Sequence, residues 1–215
     1  MQHIIFDLDG TIIDSKNEIL KTYKLVFDQI RPDVAPDLDK LNYGLTLGDL
    51  LKSVYGADPD KIAKAKLLFA SVYDNSDYSE TTLYDGVVDV LNALKKDGCE
   101  LYIATNKRLL PTKRILEKKQ ISHLFSHIMA NEMEPGVTFS KRQMIEGLKR
   151  LGSFTEGFMV GDAITDIQAG NEEKLQTVAV TYGYEKPDVL AAQSPSFTID
   201  HFEKLYTFVT AAASR

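Results

Sequence analysis

Ile4-Ile5-Phe6-Asp7-Leu8-Asp9-Gly10-Thr11 is a short apolar run that ends in two aspartates spaced two residues apart, followed by a glycine. An unbroken run of this kind suits a strand covered on both faces. Residues two apart on an extended chain share a side, so the Asp7 and Asp9 carboxylates project the same way at the strand's carboxyl end. That end is where open α/β sheets bind ligands. Two like charges held so close repel each other, and the pair calls for a cation or a shared proton. Gly10 permits the sharp turn that keeps both acids at the sheet edge. In isolation, a solvated Asp-x-Asp-Gly turn is the bland alternative.

Further apolar runs recur downstream: Leu101 to Ala104, His127 to Ala130, Gly157 to Val160, Thr177 to Thr181 and Phe197 to Ile199. Helical patterns lie between them. Val87, Leu91 and Leu94 recur at helical spacing before Gly98, a C-terminal cap, and Pro111 suits the first turn of the next helix. Ser140 caps a helix with an apolar stripe of Met144 or Ile145, Leu148 and Leu151, ended by Gly152. Strands alternating with helices imply right-handed crossovers and a parallel sheet, an α/β, Rossmann-like core.

Between the first strand and Leu83 the pattern is helical only. Ser15 with Glu18 forms a capping box ahead of Leu20, Tyr23, Phe27 and Ile30, and Pro59 opens a second helix lined by Ile62, Ala65, Phe69 and Val72. Pro32, Pro36, Gly44, Gly48 and Gly56 mark short connections. The expected organisation is a catalytic core of residues 1–14 and 84–215 with a small all-helical cap subdomain of residues 15–83 inserted into it.

Three more stretches end apolar runs in groups suited to one chemistry. Tyr102-Ile103-Ala104-Thr105-Asn106-Lys107 closes a strand with a hydroxyl, an amide and an ammonium, all donors to phosphate oxygens, or else a helix cap. Ser140-Lys141 puts a cation at a helix start, where the macrodipole disfavours it unless an anion is near. Phe158-Met159-Val160-Gly161-Asp162-Ala163-Ile164-Thr165-Asp166 ends a strand in acid, with a second acid one helical turn on. Asp7, Asp9 and Asp162 at adjacent strand ends would make an all-oxygen site suited to Mg²⁺.

Composition narrows the partners. The chain has 215 residues, 25 Lys+Arg against 31 Asp+Glu, and a formal net charge of -6, which argues against nucleic acid or an anionic membrane. The single cysteine, Cys99, excludes an intrachain disulfide and a multi-cysteine zinc site. No apolar run is long enough to span a bilayer and the start does not resemble a secretory signal, so the chain reads as soluble and cytoplasmic. Oligomeric state is not legible.

Together, the four motifs resemble those of the haloacid dehalogenase-like hydrolase superfamily, more narrowly its phosphoglycolate-phosphatase-like branch with a helical cap after the first motif. The resemblance covers essentially the whole chain. It implies a Mg²⁺-dependent phosphatase that hydrolyses the phosphate monoester of a small metabolite through an aspartyl-phosphate. Asp7 would be the nucleophile and Asp9 the general acid and base, with Gly10 and Thr11 in support. Thr105, Asn106 and Lys141 would hold the phosphoryl group. Asp162, the Asp7 side chain and the Asp9 main-chain carbonyl would bind the metal, and Asp166 would order metal-bound water or Lys141. Two positions depart from the pattern: Arg142 follows Lys141 where many relatives have proline, and Ala163 follows Asp162 where serine is common. A phosphomutase using the same intermediate is the nearest alternative, although Thr11 is the more phosphatase-like residue. A non-catalytic phosphate-sensing protein on the same fold is the other.

Overall fold

The computed structural model describes residues 2–30, 52, 56, 58–133 and 136–213. Pro32, Pro36, Gly44 and Gly48, read above as connections, lie outside them. β1 (His3–Phe6) is followed by two short strands, β2 (Ile13–Asp14) and β3 (Thr82–Leu83), which pair with each other. After them come β4 (Glu100–Arg108), β5 (His127–Asn131), β6 (Phe158–Gly161), β7 (Gln176–Val180) and β8 (Phe197–Ile199). The six long-range strands form one parallel sheet in the order β5-β4-β1-β6-β7-β8. This is the expected Rossmann-like α/β architecture. The chain adds β4 and β5 on one side of β1 and then crosses to begin β6 on the other. The strand order therefore reverses beside β1, the kind of switch point at which open α/β sheets bind ligands.

The helices fall into two groups. α1 (Lys16–Ile30) and α2 (Pro59–Asp74) precede β3. α3 (Val87–Lys96), α4 (Leu109–Lys118), α5 (Lys141–Gly152), α6 (Ile164–Glu172), α7 (Pro187–Ala191) and α8 (Lys204–Ala213) alternate with the strands. One face of the sheet packs Ile5, Tyr102, Ala104 and Met159 against Met144, Ile145 and Leu148 of α5. On the opposite face Phe6 meets Phe125 and Phe202. Each fully buried aliphatic or aromatic side chain contributes about 1.5–3 kcal/mol, so β1 is anchored from both sides.

Three local expectations are corrected. The stretch before Leu83 does hold strands, β2 and β3, but at two residues each they carry no readable period. Glu18 also ties α1 to the segment after α2. Its buried carboxylate accepts from the Ser76 hydroxyl and from the Glu80 N–H at 2.9 Å. Leu151 is 55% exposed and lies off the buried stripe of α5. As expected, α5 ends at Gly152, and Ser153 follows as its C-cap with φ 53° in the left-handed region. On α2 the buried positions are Ala65, Phe69 and Tyr73, and Asp58 caps its start by accepting from Lys61 N–H.

By its internal contacts the chain divides into two compact units, Met1–Asp14 with Leu83–Arg215, and Ser15–Thr82. Within the second, Tyr23 of α1 lies 4.8 Å from Phe69 of α2, and Phe69 stacks on Tyr73 at 5.4 Å. No helix among the described residues is long and apolar enough to cross a membrane.

Candidate active site

Register fixes which residues leave the sheet together. Phe6 pairs with Ile103 on one side and Val160 on the other, so Asp7, Thr105 and Asp162 emerge from three adjacent strands at nearly one level. The Asp7 N–H still bonds to the Val160 carbonyl at 2.9 Å, which holds its backbone rigid. Gly10 follows with φ 83°, and a Cβ there would lie 2.1 Å from Asp162 Oδ2. The turn needs glycine for both reasons.

Lys141 is the focus of the site. Ser140 caps α5 through a capping box with Gln143, which fixes Lys141 as the first helical residue. The side chain is buried. Its Nζ donates to Asp7 Oδ1 at 2.6 Å and to the Ala104 carbonyl at 2.8 Å, and pairs with Asp166 Oδ1 at 2.9 Å. The anion that the macrodipole argument required is thus a pair of carboxylates. Asp166 sits in the first turn of α6 and is fully buried, its other oxygen accepting from the Ala163 N–H at 3.0 Å.

Asp162 is fixed independently. Its Oδ1 accepts from the Thr11 hydroxyl at 3.0 Å and its Oδ2 from the Tyr184 N–H at 2.8 Å. Tyr182 Oη in turn donates to the Thr11 carbonyl at 2.9 Å and its ring lies 4.6 Å from that of Tyr84. Sequence reasoning missed this Tyr182-Gly183-Tyr184 turn after β7. The signal was a further strand end in the same sheet carrying a glycine between aromatic residues.

The structure brings together Asp7, Lys141, Asp162 and Asp166, and puts buried Thr105 directly after Ala104. Thr105 Oγ1 accepts from the Lys107 N–H at 3.1 Å. Asn106 is exposed, and its main-chain carbonyl accepts from Asn131 Nδ2 at 2.9 Å. The Asp9 carboxylate is outside the close group of Asp7, Asp162 and Asp166 and pairs with Lys107 Nζ at 3.0 Å.

Asp7, Asp162 and Asp166 each offer an oxygen within 4.8 Å of the others. Burial pushes the Asp7 carboxyl well above its ordinary range; Lys141 draws it down, while Asp166 and Asp162 raise it further. Burial and then Asp166 lift Asp162 to about 7, against the pull of the Tyr184 N–H, the Thr11 hydroxyl and Lys141. Burial opposes charge on Lys141, but Asp166 and Asp7 outweigh it and raise its pKa. One ammonium cannot neutralise three buried acids. An all-oxygen cluster of Asp7, Asp162 and Asp166 with surplus negative charge could hold a hard divalent cation.

The chain is similar in sequence and fold to known proteins. A family model described as haloacid dehalogenase-like hydrolase matches residues 4–180. The phosphoglycolate phosphatase of Pseudomonas putida is 28% identical over 211 residues, covering 94% of this chain and 77% of that protein. The pyrophosphatase PpaX of Listeria monocytogenes is 26% identical, covering 96% and 95%. Among solved structures, a haloacid dehalogenase-like family hydrolase from Streptococcus pneumoniae superimposes with a TM-score of 0.86 at 22% identity, over 97% of this chain and 98% of that one, a likeness of fold.

Proposed function

The chain belongs to the haloacid dehalogenase-like hydrolase family, and from that premise we propose that it is a Mg²⁺-dependent phosphatase acting on a small phosphorylated metabolite through an aspartyl-phosphate. One observation carries this reading: the buried Lys141 ammonium bridges Asp7 and Asp166 at the switch point of the sheet. That contact fixes the Asp7 carboxylate at the end of the sheet where open α/β folds bind ligands and keeps a cation beside it for phosphoryl oxygens. The names of relatives, a phosphoglycolate phosphatase and a pyrophosphatase, support small phosphorylated substrates.

In this mechanism Asp7 attacks phosphorus in line with the leaving oxygen and carries the phosphoryl group, which splits one slow hydrolysis into two easier steps. Lys141 and the Thr105 hydroxyl hold the phosphoryl oxygens, with Asn106 beside them. Asp9 protonates the departing oxygen and then takes a proton from the attacking water. Asp166 holds Lys141 in place. A divalent cation held by Asp7, Asp162 and the Asp9 main-chain carbonyl supplies charge neutralisation when bound. Residues 15–83 are inserted into the chain after the Asp7–Thr11 turn, and leaving-group recognition is assigned to them as the cap that the family resemblance implies.

The test is a screen of phosphorylated metabolites with Mg²⁺ and with chelator, read as released phosphate, together with acid-quenched labelling of the protein by a ³²P substrate. Release that needs metal, with label that disappears in Asp7→Asn, supports the reading. An isomerised sugar phosphate in place of free phosphate would make the enzyme a mutase. Metal binding with no turnover on any ester would make it a phosphate sensor.

A further inference from the structure

The two acids of the Asp-x-Asp pair do not share a lysine. Lys141 contacts Asp7, Asp166 and the Ala104 carbonyl. A second ammonium, Lys107 Nζ, lies 3.0 Å from Asp9 Oδ1, with the lysine side chain 7% exposed and the Asp9 side chain 21% exposed. Exposed ion pairs are bland, but an ammonium this enclosed has lost most of its water and holds its partner in one geometry.

Local backbone irregularity delivers the contact. β4 and β5 pair in register up to Thr105 and Ala130, and pairing resumes only at Arg108 and Asn131, so Asn106 and Lys107 are extra residues on β4. Bulges of this kind re-aim side chains beside active sites. Asn131 fastens this one by donating to the Asn106 carbonyl, and the Lys107 N–H donates to Thr105 Oγ1. The same short segment therefore carries the buried Thr105 hydroxyl and turns an ammonium toward Asp9.

We propose that Lys107 is a positioning residue for the proton-transfer steps, acting through Asp9. The proposal rests on the reading of Asp9 as general acid and base. In the first half-reaction the Asp9 carboxyl gives its proton to the ester oxygen as the P–O bond breaks and the bond from Asp7 to phosphorus forms. The carboxylate left behind faces Lys107 Nζ, a charge already in place where the new negative charge appears. In the second half-reaction water bonds to phosphorus and loses a proton to that carboxylate while the bond to Asp7 breaks. Lys107 thus keeps Asp9 in one orientation through both transfers.

Leaving-group dependence tests this. A p-nitrophenolate departs without a proton, whereas an alkoxide needs one. Positioned proton transfer contributes about 10²–10⁴-fold, so Lys107→Met should lower kcat/KM for an alkyl phosphate about 10–100-fold more than for p-nitrophenyl phosphate. Lys107→Arg, which keeps the charge, should restore much of the difference, and adding Lys107→Met to Asp9→Asn should cost little more than Asp9→Asn alone. Equal losses on both substrates, or full additivity with Asp9→Asn, would overturn the proposal. If Asp9→Asn itself hits both substrates alike, the underlying role of Asp9 fails as well. Lys107→Gln, with its melting temperature measured, serves where the Met variant does not fold.

Discussion

The Tyr184 N–H donates to Asp162 Oδ2 at 2.8 Å, and the intervening geometry leaves no room for a side chain on Gly183. A Cβ at Gly183 would lie 2.3 Å from Asp162 Cβ and 2.5 Å from Oδ2. Neither neighbour is a flexible chain end, so Gly183→Ala must displace the carboxylate or the Tyr182–Tyr184 turn. Partners that orient a ligating carboxylate typically matter by 10–100-fold in metal affinity. Gly183→Ala should weaken Mg²⁺ binding by about that factor, measured by calorimetric titration. Unchanged affinity would detach the turn from the metal site.

Asp7→Asn should separate chemistry from folding. Removing a nucleophile that acts with its partners as a unit costs on the order of 10⁶ in kcat, and no label should accumulate on the protein. The substitution also removes one of three buried acids, while Lys141 keeps Asp166 as a partner. In metal-free buffer the variant should therefore melt no lower than the parent. Substantial turnover by a folded Asp7→Asn protein would remove Asp7 from the nucleophile role.

Lys141→Met has the opposite signature. It leaves Asp7, Asp162 and Asp166 buried without their ammonium. Breaking a buried pair from one side costs about 3–5 kcal/mol, so the metal-free variant should melt well below the parent. Mg²⁺ should recover part of that loss because a cation replaces the missing charge, but turnover should not return. A melting temperature equal to the parent's would mean the acids carry no charge in the folded protein.

What could be read in advance follows from how far each signal reaches along the chain. All six long-range strands were visible because runs such as Ile4-Ile5-Phe6 are apolar without interruption, as burial on both faces demands. Asp7 and Asp162 were legible as chemistry at strand ends, and Lys141 at a helix start. Their convergence, including the burial of Lys141, depended on sheet order, which no local pattern encodes. Lys107 was read as a phosphate donor because its turn toward Asp9 comes from a bulge set by Asn131 on another strand. The Tyr184 contact uses a main-chain N–H, and main-chain donors leave no trace in side-chain identity. Leu151 fits the α5 stripe by spacing alone, yet its position falls beyond the edge of what covers that helix.

The buried acids should couple stability, pH and metal in a defined direction. The Asp162 carboxyl is raised from 3.8 to about 7 in the folded, metal-free protein, chiefly by burial and then by Asp166, and Asp7 is shifted the same way. Between those two values the native state holds a proton that the unfolded chain has released. Stability rises with pH only where the unfolded state binds more protons, so here it falls. The contribution of Asp162 is full below about pH 4 and is lost as pH rises toward 7. Bound Mg²⁺ reverses the preference by favouring the ionised carboxylates, and a ligand that binds only the native state stabilises it. The gap in melting temperature between Mg²⁺-saturated and metal-stripped protein should therefore widen from pH 5 to about pH 7 and level off above it. Thermal melts at half-unit pH steps, with and without the ion, read this directly. A gap that stays constant or narrows over that interval would show that Asp162 is already ionised without metal.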